Sequence, residues 1–332
     1  MMLQDYEIDW DNINEKLSKM NAKRILIELP EGLKIYIFEI MKKLINFEIY
    51  FSGENIYGAC DVSDLSSKFD AVLHFGHAEI PNINYGGKVI FVEMRNKINI
   101  NENLINKIVQ LNCKKIGLLA TIQYIDFLSK IPEILSKNNI EIFIGHGDSR
   151  LKYPGQVLGC DFSSALKIMK EVECFLVIAD GEFHAIGIAI STGMKTFALN
   201  PITEELKEIN INEFLKKRYM IIEKASKSKS VGIIVSSKIG QSRYEIAKSL
   251  MKKIEESGRR VAIIVMNEIT PYKIKNLPFD VFVNTACPRI STDDAENYEY
   301  KMLTPMEMEM AIGVRQMYPY VMDMISQISP LR

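Results

Sequence analysis

The sequence predicts an α/β protein of three similar units, each a mainly parallel sheet flanked by helices. Three observations lead there. Short β-branched runs recur along the chain and are nearly continuous in apolar residues rather than alternating. That pattern fits strands buried on both faces, as in parallel sheets covered by helices. Segments with helical spacing separate the runs, and strand–helix alternation marks α/β architecture. Finally, Lys23-Arg24, Lys114-Lys115 and Lys229-Ser230 each precede an apolar run that opens a unit, giving a weak internal repeat.

In chain order, the first unit (1–110) holds strands at 25–29, 48–53, 71–76 and 88–94, with a helix over 32–45. The second (111–225) holds strands at 115–120, 141–145, 174–180 and 195–199, with helices over 123–138 and 163–172. A long charged helix is predicted from Glu204 to the Lys/Ser-rich linker ending at Ser230. The third unit (226–332) holds strands at 231–237, 260–266 and 280–286, with a helix over 242–257. The segment after Pro319 is expected to dock on another element.

Composition bounds the function. A chain of 332 residues fits two or three domains of about 100–150 residues each. Net charge of −1 gives no electrostatic reason to expect nucleic acid or an anionic membrane as partner. The N-terminus is polar, and no apolar run reaches the roughly 18–20 residues that cross a bilayer. A cytoplasmic location is expected, where the five cysteines would be thiols or metal ligands rather than bridges.

Three of those cysteines follow strand-like runs at the junctions where α/β proteins place their chemistry: Cys60 in YGACD, Cys160 in LGCD and Cys287 in TACPR. No local loop can join them, so only the folded chain could bring one from each unit to a single cofactor. Thiolates are soft ligands suited to iron–sulfur clusters and zinc. The absence of C-x-x-C argues against a closed zinc site. Three thiolates without a fourth fit an open [4Fe–4S] cluster. The plain alternative is three buried structural cysteines. Gly58 and Gly159 leave room beside their cysteines, and Asp61 and Asp161 read as helix N-caps. Cys113 and Cys174, at the mouths of apolar strands, read as inert core or near-surface thiols.

The motifs YGACDVSD, HFGHAEIP, GQVLGCDFS, ADGEFHAIG and NTACPRIS, in this order, resemble the diphthamide synthase family, in its archaeal single-chain, homodimeric form. The resemblance implies three α/β domains in a triangle around a central [4Fe–4S] cluster, held by Cys60, Cys160 and Cys287. It implies cleavage of S-adenosylmethionine between sulfur and the Cγ of its methionine part. The 3-amino-3-carboxypropyl radical would then pass to C2 of a histidine in translation elongation factor 2, with an electron donor as further partner.

Other polar residues carry two readings each. Asp180 and His184 follow a strand end, where ligands bind, or are a helix cap and a surface histidine. Backbone N–H groups at Gln241 and Ser242 would receive the carboxylate of S-adenosylmethionine, or are an ordinary helix start. Arg289 would pair with that carboxylate, or make a structural salt bridge. His74 and His77 read as loop packing and His146 as uninformative. Tyr57, Tyr153 and Tyr244 line the site or pack elsewhere. The methionines of 302–325 read as flexible packing or a dimer surface. Two further functions compete: a dehydratase resembling quinolinate synthase, and a non-catalytic partner that binds elongation factor 2 or delivers electrons.

Overall fold

The computed structural model describes residues 3–63, 67–292 and 298–326. Its strands in chain order are β1 (Tyr6–Glu7), β2 (Arg24–Glu28), β3 (Glu48–Phe51), β4 (Ala71–Phe75), β5 (Val89–Val92) and β6 (Arg95–Asn96). There follow β7 (Lys115–Ala120), β8 (Glu141–Phe143), β9 (Cys174–Ile178), β10 (Thr196–Asn200) and β11 (Glu205–Glu208). The last are β12 (Ser230–Ser236), β13 (Arg260–Met266), β14 (Val281–Asn284) and β15 (Lys301–Leu303). They form three sheets ordered β3-β2-β4-β5, β11-β10-β9-β7-β8 and β13-β12-β14-β15, beside a short β1–β6 ribbon.

Each sheet starts in the same way. Its first strand lies between its second and third, and both pairings are parallel. This order places a switch point between the first and third strands, where open α/β sheets leave a crevice. The repeat reaches single residues. Just before each third strand sits a carboxylate: Asp70, Glu173 or Asp280. Asp70 accepts from the N–H groups of Lys23 and Arg24 at 2.9 and 2.7 Å. Glu173 accepts from Lys114 at 2.7 Å. Asp280 accepts from Lys229 and Ser230 at 2.7 and 2.9 Å. The side chain thus satisfies N–H groups at the start of the first strand that the ladder leaves over. In the second and third sheets a glycine of the first strand faces a phenylalanine of the third, Gly117 to Phe175 and Gly232 to Phe282. A Cβ on either glycine would lie 2.5 or 2.8 Å from that ring, so the ring occupies the missing side chain's place.

By contacts the chain divides into two compact units. The first comprises Met1–Val157, Ser163–Gly181 and Phe197–Lys207; the second comprises Leu158–Phe162, Glu182–Thr196 and the chain from Glu208 onward. The first unit has two apolar cores. One packs Leu17, Ile25, Ile27, Leu73 and Phe75 around the first sheet; the other packs Ile116, Leu118, Leu128, Ile131 and Leu176 around the second. In the second unit Ile234, Ile274, Phe282 and Met302 form a core around the third sheet.

Several expectations are corrected. The long charged helix is two elements, strand β11 and a helix over Asn212–Ser226. Charged side chains on a sheet edge are compatible with strand pairing, because the ladder bonds are made by backbone. The helix expected over 32–45 is a 3-10 turn, Glu31–Tyr36, followed by a short helix, Ile37–Met41. Tyr36, Ile40 and Leu44 are buried at four-residue spacing and form one inward face, while Ile35 and Phe38 are each 76% exposed. Cys113 and Cys174 are paired as a disulfide, with Cα atoms 6.4 Å apart, rather than being inert thiols. They lie at adjoining strand mouths, Cys113 before β7 and Cys174 opening β9.

Candidate thiol site

In the second unit the loop after β14 carries Cys287, and Asn284 shapes it. The Asn284 side chain donates to the Cys287 carbonyl at 2.7 Å and accepts from the Ala286 N–H at 2.9 Å. Thr285 is held to Ile234 of the neighbouring strand through both its N–H and its hydroxyl. Pro288 then starts the short helix Pro288–Thr292, which carries Arg289.

Cys160 belongs to the same unit. Its segment is a tight antiparallel bridge in which Leu158 and Asp161 exchange backbone hydrogen bonds of 3.2 and 3.3 Å. Gly159 has no space for a side chain: a Cβ would lie 2.8 Å from Phe183 and 3.0 Å from Arg289. The room expected beside Cys160 is used by a tight turn and by two of the chain's own side chains. The Arg289 guanidinium lies over the Phe183 ring at 4.7 Å, so Arg289 is an exposed cation seated on an aromatic face. His184 follows Phe183 in the first turn of the helix Phe183–Thr192. Burial, with the Arg289 charge adding, lowers its pKa to about 4. The imidazole is therefore neutral at physiological pH.

A buried arginine connects these loops. Arg243, 1% exposed, makes a two-pronged ion pair with Asp323, at 2.8 and 2.6 Å. It also donates to the carbonyls of Thr285 at 2.5 Å and Ala286 at 3.4 Å, next to Cys287. Two residues beyond Asp323, the Ile325 N–H donates to the Cys160 carbonyl at 2.9 Å. Burial opposes the Arg243 charge, but the Asp323 carboxylate outweighs it and the sulfurs of Cys160 and Cys287 add to it, so its pKa is raised. The segment after Pro319 does dock, and its target is the surroundings of two cysteines.

Cys60 lies in the first unit, on the 3-10 turn Ala59–Asp61. The Tyr85 hydroxyl donates to the Ala59 carbonyl at 3.0 Å, and burial raises the Tyr85 pKa. A Cβ on Gly58 would approach the Cys60 Sγ to 3.3 Å, so this glycine gives the thiol its space. Asp61 does not cap an α-helix; its carboxylate accepts from the Tyr57 N–H at 3.4 Å within the turn. Nearby, Glu28 accepts from the Ser63 N–H at 2.9 Å and meets the His74 Nδ1 at 2.8 Å. His74 Nε2 meets His77 Nδ1 at 3.1 Å. Burial first, then His74, lowers the His77 pKa to about 3.

The other expected site residues fall as follows. Asp180 is exposed, belongs to the first unit and accepts a hydrogen bond from the Tyr124 hydroxyl. It does not cap the following helix, whose first position is flanked by Glu182. Gln241 and Ser242 are buried, and both backbone N–H groups donate to the Lys238 carbonyl, at 3.0 and 3.1 Å. The carboxylate-receiving role expected of those N–H groups is therefore already filled. The Tyr153 hydroxyl donates to Glu93, Tyr57 is 70% exposed, and Lys248 lies over the Tyr244 ring. His146 is exposed.

Among the described residues, no three His, Cys, Asp or Glu side chains gather as a ready-made metal site. The donor chemistry nonetheless fits an iron–sulfur group. Cys60, Cys160 and Cys287 all stand outside the disulfide, and two of the sulfurs are close enough to a buried cation to feel its charge.

Fold and site define an α/β protein with three cysteines, outside its disulfide, on the loops beyond its parallel strands. The chain belongs to the diphthamide synthesis protein family, whose model matches residues 29–321. It is 37% identical to the 2-(3-amino-3-carboxypropyl)histidine synthase of Pyrococcus horikoshii, over 95% of this chain and 93% of that one. It is 29% identical to the synthase of the same name from Methanocaldococcus jannaschii, over 94% and 90% of the two chains. The crystal structure of Dph2 from Pyrococcus horikoshii with a 4Fe-4S cluster matches with a TM-score of 0.89 at 37% identity, covering 98% and 96%.

Proposed function

We propose that this chain is a 2-(3-amino-3-carboxypropyl)histidine synthase, a transferase of diphthamide biosynthesis. The observation that carries this reading is the likeness, over nearly its whole length, to a protein whose crystal structure contains a 4Fe-4S cluster. Cys60, Cys160 and Cys287 would hold the cluster, one from each of three α/β domains spanning 1–110, 111–225 and 226–332. When bound, the cluster supplies the electron that cleaves S-adenosylmethionine between sulfur and Cγ. The 3-amino-3-carboxypropyl radical so released would join C2 of a histidine imidazole in elongation factor 2, the protein substrate, in place of the C2 hydrogen, which leaves as a proton while one electron is given up, balancing the one spent in the cleavage.

The chain's own residues hold and orient. Asn284 and Thr285 fix the Cys287 loop against β12. Arg289, beside Cys287, would pair with the carboxylate of S-adenosylmethionine. His184, neutral and adjacent to Arg289, offers an uncharged hydrogen-bonding group. Gln241 and Ser242 would contribute side chains rather than backbone. The protein acts in the cytoplasm as a homodimer and takes electrons from a separate donor.

Anaerobic reconstitution tests the reading. The expected result is about four irons per chain, with thiolate-to-iron absorption that bleaches on reduction. Replacing any of the three cysteines by serine should abolish a stable cluster. Reductant and S-adenosylmethionine should yield methylthioadenosine. Full cluster content in the triple variant refutes the ligand assignment. Absence of methylthioadenosine from the clustered protein favours the dehydratase reading.

A further inference from the structure

We propose that the buried Arg243–Asp323 pair and the Ile325–Cys160 hydrogen bond form one clasp, through which the C-terminal segment fixes two cysteine loops and holds a positive charge beside them. This deepens the cluster reading of the same site and rests on it for its electronic part. Arg243 is a positioning residue in this scheme.

The geometry carries the argument. One guanidinium serves the Cys287 loop through the carbonyls of Thr285 and Ala286, and the C-terminal segment through Asp323 and the Met324 carbonyl. Ile325 carries the connection on to the Cys160 carbonyl. Asp323 and Arg243 are each 1% exposed. A buried ion pair contributes little net stability by itself, and replacing both partners with apolar groups is often tolerated. The hydrogen bonds to two separate loops are what a simple packing role does not require. A fixed cation near two thiolates also stabilises the more negative, reduced state of a cluster they ligate.

Two variants of the full chain separate these effects. Asp323→Asn keeps the cation and removes its counter-charge. Arg243→Met combined with Asp323→Leu removes both charges while filling the space. In the metal-free chain, Asp323→Asn should speed hydrogen exchange in peptides covering 158–162 and 285–288 and leave the Cys60 peptide unchanged. After reconstitution, its cluster should be lost to a chelator about tenfold faster, the scale of outer-shell substitutions. The midpoint potential, read by redox titration with electron paramagnetic resonance, should rise in Asp323→Asn and fall in the double variant. Unchanged exchange in both peptides overturns the clasp. Equal potentials in the three proteins overturn the electronic role. A wild-type chain that takes up no iron sinks the cluster reading, while the exchange comparison still decides the clasp.

Discussion

At Gly159 one missing methyl group decides how closely three segments approach. Phe183 and Arg289 occupy the space that any side chain would need. Gly159→Ala should therefore cost about 1–3 kcal/mol, as overpacked positions do. Gly53→Ala, where a Cβ meets nothing within 4 Å, should leave the urea midpoint unchanged. Equal midpoints for the two variants would contradict the crowding argument. Histidine charge gives a second test at this scale. His77 and His184 have pKa values lowered to about 3 and about 4. The unfolded chain, with histidines near 6.5, takes up these protons first. Stability should therefore be flat above about pH 6.5 and fall as pH drops below it. Melting curves from pH 8 to pH 4.5 read this directly, and a double variant, His77→Gln with His184→Gln, should flatten the slope. That Cys60, Cys160 and Cys287 lie on loops after strands was legible in the sequence, because apolar runs precede each of them. Arg243 and Asp323 were not, because 80 residues separate the partners and no spacing rule links them. Glu28 did leave a signal: a carboxylate within a continuous apolar strand needs a buried partner.

At the scale of elements, all eleven expected strands are present; both-face burial writes the continuous apolar runs of central strands such as β4, β9 and β12, while the edge strands β3, β8 and β13 are apolar yet partly exposed. The short strands β1, β6, β11 and β15 were missed. They are two to four residues long, too short to write a periodic apolar run: β1 and β6 pair with each other, and β11 and β15 lie at sheet edges. The carboxylates before the third strands could have been found by aligning the three openings. Asp70 and Asp280 both have pKa values lowered by hydrogen bonds from the N–H groups they accept. Their contribution is present above the ordinary aspartate pKa and lost as pH falls through the lowered value. Asp280→Ala should lower the melting temperature at pH 7 and speed exchange at Lys229 and Ser230. In acid, as the pH falls below the ordinary aspartate range and the wild-type carboxyl is protonated, the gap between the two proteins should narrow.

Across the whole molecule, the cysteines sort into two classes. Cys113 and Cys174 are oxidised and buried; Cys60 and Cys287 are partly exposed; Cys160 is 8% exposed. Alkylation of the native metal-free chain should label Cys60 and Cys287 first and Cys160 slowly. Cys113 and Cys174 should react only after reduction and unfolding. Removing the disulfide, by Cys113→Ser with Cys174→Ser, should cost about 2–4 kcal/mol without reducing iron uptake. The sequence, read for a reducing compartment, gave no reason to pair them. It indicated three repeats, and three sheets of shared strand order are found, yet contacts group the chain into two bodies. Grouping depends on which loops leave their own sheet, and Cys160 travels on such a loop.

The shared strand order does not extend to the thiols. Cys60 and Cys160 lie between the second and third strands of their sheets, whereas Cys287 lies beyond the third. An ancestor copied three times with its ligand in place would have put sulfur after β13, where this chain has Asn267 and Glu268. The cysteine of the third repeat therefore stands one strand later than those of the first two. Each cysteine therefore has its own backbone setting, a 3-10 turn for Cys60, a tight bridge for Cys160 and the approach to a short helix for Cys287, so the three thiols should react with an alkylating agent at three different rates.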